Sequence, residues 1–116
     1  IPWGVSSNAS PDVEAKLLTA LPAELAPSVT VMSCRVGARK PHRDMFTPFL
    51  SYVDEPGQVL FVGDRVDADV LGPRDLGFRT ALIARSGPAD PVPEGTAVLR
   101  ALTQVQSLIS MKGRAA

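Results

Sequence analysis

The feature that most constrains this sequence is an unbroken apolar run ending in glycine and aspartate, Val59-Leu60-Phe61-Val62-Gly63-Asp64. A short continuous apolar run of this kind is typical of a strand buried on both faces, as in a parallel sheet. A second acid, Asp69, follows where the chain leaves the predicted strand. Ligands of open α/β sheets bind at this carboxyl edge. The run therefore predicts a parallel sheet with acids at its ligand-binding edge.

The two acids at the end of this strand have two possible roles. Carboxylates at close range repel each other unless a cation or a proton accompanies them, and carboxylate oxygens near a phosphate favour Mg²⁺. We therefore predict Asp64 and Asp69 as metal ligands. The alternative is an ordinary strand followed by a helix that Asp67 caps, because aspartate is a common N-cap residue.

The rest of the chain alternates predicted strands and helices. Strands are expected over 1–7, 29–34, 59–62 and 80–84, and a helix follows each strand, the last one carrying Val98, Leu102, Val105 and Ile109. Strand–helix alternation predicts an α/β fold, a parallel Rossmann-like sheet of about four strands with helices on its faces. Residues 1–112 form one domain in this interpretation, and residues 113–116 form a tail.

Two apolar patterns make finer predictions. In the first helix, Val13, Leu17 and Leu21 recur every fourth residue and are expected to face the core. A second amphipathic helix is expected after Pro41, with Met45 and Phe46 on its buried side and Pro48 in its first turn.

Composition excludes several classes of function. The chain has 116 residues, and 12 basic residues balance 12 acidic ones, so no nucleic-acid-binding charge excess exists. No apolar run is long enough to span a membrane. The single cysteine, Cys34, cannot form an internal disulfide and is expected to be a buried small hydrophobe. A lone cysteine fits a reducing compartment, so we expect a cytoplasmic location.

Side chains with complementary chemistry follow three successive strands. Ser7 and Asn8 end the first, Lys40 lies just after the second, and Asp64 and Asp69 follow the third. Because the carboxyl ends of parallel strands share one edge, a hydroxyl, an ammonium and two carboxylates are expected to converge there. Phosphoryl transfer uses this combination, since donors and a cation offset phosphate charge while acids hold Mg²⁺.

Three motifs in this order resemble the haloacid dehalogenase (HAD) superfamily. The segment Gly4-Val-Ser-Ser-Asn8 resembles its second motif, Gly37-Ala-Arg-Lys-Pro41 its third, and Gly63-Asp-Arg-Val-Asp-Ala-Asp69 its fourth, GDxxxxD. The similarity runs from about residue 4 to residue 85, which corresponds to the C-terminal part of the family's core.

The resemblance implies a role for each of five residues. Ser7 would bind the phosphoryl group, and Asn8 would add a hydrogen bond near the substrate. Lys40 would be catalytic and contact both the phosphate and the nucleophile. Asp64 would bind Mg²⁺ directly, and Asp69 would act through water or as a second ligand. Arg39 and Arg65 flank this site, either as contacts to an anionic substrate or as solvated charges.

One family motif is absent from these 116 residues. The resemblance implies a first motif, DxDGT-like, whose leading aspartate forms an aspartyl-phosphate, and no such sequence is present. In the family its strand lies between those ending at Ser7 and Asp64, so a gap is expected. The chain also starts at Ile1 without methionine, as if within a longer polypeptide. An N-terminal segment, a second copy, or direct pairing of the first and third strands would close the gap.

The expected function is Mg²⁺-dependent hydrolysis of a small phosphorylated substrate through an aspartyl-phosphate. Without the nucleophile segment, the chain alone is expected to be inactive. The alternative is a non-catalytic scaffold or protein-interaction module that keeps the HAD-like fold. A receiver-like signalling domain is a weaker third possibility, because no internal strand ends in a phosphorylatable aspartate.

Overall fold

The computed structural model describes residues 2–109, apart from the side chain of Leu18. The predicted tail over 113–116 and the last residues of the predicted domain lie outside this range. Five strands are present where about four were expected, and all pair in parallel: β1 Gly4–Ser7, β2 Val29–Met32, β3 Leu60–Gly63, β4 Arg79–Ile83 and β5 Ala97–Leu99. The predicted α/β class with parallel strands is confirmed.

The strands form two sheets instead of one. β1 pairs with β2, and β3, β4 and β5 form a second sheet in that order. Gly4 is in register with Val29 in the first sheet, and Leu60 with Arg79 in the second. Within residues 2–109, β1 and β3 are not paired, so the expected gap is present and the direct pairing of these strands is wrong. Each keeps one edge without a strand partner.

The first helix, α1, spans Pro11–Ala20 and begins as the sequence predicts. The Ser10 hydroxyl accepts a hydrogen bond from the Val13 backbone N–H at 3.4 Å, and proline occupies the first turn. The predicted core face is wrong at Val13, which is 51% exposed. Glu14 is buried instead, because its carboxylate binds the Arg35 Nε at 2.6 Å. Arg35 lies in the one-turn helix α2, Ser33–Val36.

The helix predicted after Pro41 is replaced by short 3₁₀ turns, over Arg43–Met45, Thr47–Tyr52 and Pro56–Gln58. Pro48 occupies the first turn of its element, as expected. Met45 and Phe46 are fully buried, so the predicted apolar face is confirmed although the winding differs. Tight turns suit this stretch because proline cannot donate a backbone hydrogen bond within a longer helix.

The helical segment after β3 is irregular, as the Gly72-Pro73 pair predicts. Residues Val66–Leu71 are wound as a π-helix, and Gly72–Asp75 form the short α-helix α3. Gly77 then adopts a φ of +86°, which glycine accommodates without steric cost.

The last predicted helix is wrong at its start, because Val98 lies in strand β5. Val98 pairs in register with Leu82 of β4, so the free edge of β4 recruits this β-branched residue into the sheet. Helical structure begins at the 3₁₀ turn Leu102–Gln104 and continues over 105–109.

The core centres on three buried aromatic rings, those of Phe46, Phe61 and Phe78. The Phe46 and Phe61 rings pack edge to face with centroids 5.2 Å apart. Cys34 was expected in this core, but it is exposed because β2 ends at Met32 and the chain turns into α2. No helix within residues 2–109 has the length and apolar character needed to cross a bilayer.

We predict that replacing Phe46 by alanine lowers the free energy of unfolding by about 4 kcal/mol, since the ring is fully buried. Phe46→Leu keeps most of the buried volume and should cost about 1.5 kcal/mol. Urea denaturation followed by circular dichroism measures both values. Equal, small losses for the two variants would show that this ring does not anchor the core.

Candidate functional site

The centre of the site is an ion pair between Lys40 and Asp69. The Lys40 Nζ donates to the Asp69 Oδ1 at 2.6 Å, and the two side chains are only 13% and 5% exposed. The ammonium also lies 5.7 Å from the centre of the Phe61 ring, within the range of a cation–π contact. Lys40 is therefore not a solvated loop lysine, because its charge is largely withdrawn from water.

The second oxygen of Asp69 organises the loop that follows β3. Its Oδ2 accepts hydrogen bonds from the backbone N–H groups of Asp64 and Arg65, both at 3.1 Å. A Cβ added at Gly63 would overlap the Asp69 carboxyl group, so this approach requires glycine. The π-helical winding buries Asp69 together with Ala68 and Val70. Both oxygens of Asp69 are thus used, and it positions Lys40 and the loop.

The end of β1 is tied to the same centre through Asn8. The Asn8 Oδ1 accepts a hydrogen bond from the Lys40 backbone N–H at 2.7 Å. Sequence reasoning assigned Asn8 to the substrate and missed this contact, because nothing in a loop sequence shows which backbone group an amide will meet. Asn8 therefore connects the first sheet to the lysine that Asp69 holds beside the second.

Ser7 is the last residue of β1 and precedes Asn8. Its side chain is half-buried, and its hydroxyl makes no hydrogen bond to any residue within 2–109. By contrast, the neighbouring Ser6 hydroxyl donates to the Met45 carbonyl at 2.8 Å. The structure joins Asn8, Lys40, Asp69 and the Asp64 backbone directly, and Ser7 adjoins them only through the chain.

Asp64 differs from Asp69 in having a free carboxylate. It is exposed, and in the described part of the chain its oxygens accept no hydrogen bond and form no ion pair. No cluster of three or more acidic, histidine or cysteine side chains fit for a metal exists among residues 2–109. One free carboxylate is nevertheless compatible with Mg²⁺, which takes one or two carboxylates and completes its shell with water and phosphate.

Arg65 and Asp67 form a solvent-exposed pair beside Asp64. The Arg65 Nη2 lies 3.2 Å from the Asp67 Oδ2, and the Asp67 Oδ1 accepts from the Ala68 N–H at 2.8 Å. The Arg65 hydrogen bond, followed by that N–H, lowers the pKa of Asp67, and the same contact raises the pKa of Arg65. Asp67 thus caps the turn, as the alternative interpretation expected. Arg39 on the other side is exposed.

We predict that Asp69→Asn destabilises the fold by about 3 kcal/mol, because it leaves the buried Lys40 charge without a counterion. The matched change Asp67→Asn, at an exposed pair, should cost under about 1 kcal/mol. Chemical denaturation of both variants provides the comparison. A cost for Asp69→Asn no larger than that for Asp67→Asn would mean that the buried pair does not support the site.

Solved structures with this fold are enzymes of the HAD type. A HAD phosphatase from Thermococcus onnurineus is 26% identical, with a TM-score of 0.76, over 91% of this chain and 49% of its own. A 2-haloacid dehalogenase from Pseudomonas syringae is 21% identical, with a TM-score of 0.77, over 97% of this chain and 47% of its own. The chain therefore spans about half the length of the structures it matches.

A third similar structure is the candidate HAD-hydrolase YfnB from Bacillus subtilis, solved bound to magnesium. It is 20% identical with a TM-score of 0.77, and the match covers 94% of this chain and 49% of its own. A comparison with curated protein sequences finds no match.

The sequence match to a family is independent of these folds. Residues 37–105 match the HAD-hydrolase-like family. This range includes Lys40, Asp64 and Asp69, and it covers more than half of the chain. The chain therefore belongs to the HAD-hydrolase-like family.

Proposed function

We propose that this chain is the phosphate- and Mg²⁺-binding portion of a HAD-type phosphohydrolase. The observation that carries the proposal is the buried Lys40–Asp69 pair, linked to Asn8 on one side and to the Asp64 loop on the other. This arrangement places a fixed positive charge and a free carboxylate at the carboxyl edge of parallel strands, where a phosphate and its cation are both accommodated.

Each side chain has a distinct part in this proposal. Lys40 uses one ammonium N–H for Asp69, which leaves its other donors for phosphoryl oxygens. The Ser7 hydroxyl has no competing partner within residues 2–109 and would donate to the same phosphoryl group. Asp64 would hold Mg²⁺, which offsets phosphate charge when bound, while Asp69 keeps Lys40 and the loop in place.

The proposed reaction is hydrolysis of a phosphomonoester to an alcohol and phosphate through an aspartyl-phosphate. Its nucleophilic carboxylate would come from outside these 116 residues. The edges of β1 and β3 that lack strand partners would receive that segment, either from the same polypeptide or from a second copy of the chain. Substrate would thus be bound by these residues and cleaved only with the added strand.

The second candidate function is a non-catalytic interaction module. The same two edges favour it, because an exposed strand edge readily pairs with an extended segment of another protein. In that case Lys40 and Asp69 would have a purely structural role, and the protein would show no Mg²⁺-dependent phosphate binding.

The binding part of the proposal predicts that Lys40→Ala weakens the affinity for inorganic phosphate, measured calorimetrically with Mg²⁺, by about tenfold or more. A lost charge-assisted hydrogen bond has this effect. The matched control is Lys16→Ala, since Lys16 is exposed on α1, and its affinity should be unchanged. Equal affinities for the two variants, or no binding by the unmodified chain, would contradict the proposal.

The catalytic part concerns the full-length polypeptide that contains these residues. It should hydrolyse p-nitrophenyl phosphate in the presence of Mg²⁺, lose most activity on removal of the metal, and lose kcat by about 100-fold or more in Lys40→Ala. Lys16→Ala again serves as control. Turnover that is indifferent to Mg²⁺ and to Lys40 would rule out this chemistry, and absence of turnover would favour the interaction module.

A further inference from the structure

An open cleft of about 720 Å³ lies beside Asp64, between the carboxyl ends of β3 and β4. The loop over 64–67 forms one wall, and residues 84–91, with their prolines, form the other. Its volume falls within the range of small-molecule pockets, roughly 300–1,000 Å³. A phosphate bound at Asp64 and Lys40 would fill only a small part of such a space, so room remains for the rest of a substrate.

The walls of this cleft are largely apolar. Leu71, Ile83, Ala84 and Pro88 contribute to its lining. Leu71 is 47% exposed, although the residues on both sides of it, Val70 and Gly72, are buried. An exposed leucine facing a cleft gains free energy when a ligand covers it, because apolar surface leaves water.

The charges in the cleft disfavour a second anionic group on the ligand. Arg65 is the one basic residue in its lining, and Asp67 already pairs with it at 3.2 Å. Asp64 and Asp90 add further negative charge. A carboxylate or a second phosphate in this space would meet like charges without an unpaired cation to offset them.

We propose that this cleft binds the organic part of the substrate and selects monoesters of apolar alcohols, such as aryl phosphates, over substrates with a second anionic group. The inference rests on the proposed phosphate site at Lys40 and Asp64. It assigns substrate selection to Leu71 and the loop over 84–91, which carry no part of that phosphate site.

The test compares three probes on this chain with Mg²⁺, by calorimetry: inorganic phosphate, phenyl phosphate and 3-phosphoglycerate. Phenyl phosphate should bind roughly tenfold more tightly than inorganic phosphate, which corresponds to the burial of a small apolar surface. 3-Phosphoglycerate should bind no more tightly than inorganic phosphate. Leu71→Ala should remove most of the advantage of phenyl phosphate and leave the affinity for inorganic phosphate unchanged.

The matched control is Leu102→Ala, because Leu102 is 69% exposed and does not line the cleft. Both leucines are surface residues, so neither change should prevent folding. Equal binding of phenyl phosphate and inorganic phosphate, or equal effects of the two leucine variants, would overturn the inference and leave the proposed function standing. Failure of all three probes to bind would overturn both.

Discussion

The structure depends most on one buried ion pair, that of Lys40 and Asp69. Each charge has been removed from water, so each requires the other, and removing either would leave an uncompensated charge in an apolar setting. The pair also joins the two sheets at their carboxyl edge. Lys40 is held from the β1 side by Asn8, and Asp69 holds the loop after β3. A single interaction therefore fixes the site and spans the gap between β1 and β3.

This arrangement divides the work between two acids that look alike in sequence. Asp69 is saturated with hydrogen bonds and is buried, so it serves as a support. Asp64 is exposed and keeps its carboxylate free, which suits a direct ligand of a hard cation. Positioning of this kind is the main protein contribution in phosphoryl transfer, where charge must be met by groups already in place. The proposed function relies on that preorganisation.

Sequence patterns predicted the parallel α/β fold, the gap and the convergence near Lys40, because strand ends and short motifs are local signals. They failed where tertiary contacts decided the outcome. Val98 was assigned to a helix from its spacing, but the edge of β4 took it into a strand. Glu14 replaced Val13 on the buried face because Arg35 offered a partner. The Asn8 contact and the cleft beside Leu71 were invisible, since both are formed by segments distant in sequence.

The central claim is that Asn8, Lys40 and the Asp64 loop form one anion pocket. An amide-detected NMR titration of the chain with phosphate and Mg²⁺ tests it most directly. We expect the backbone amides of Asn8, Lys40, Asp64 and Arg65 to shift together, with a single dissociation constant. Shifts scattered over exposed basic residues, with these four amides unmoved, would contradict the account.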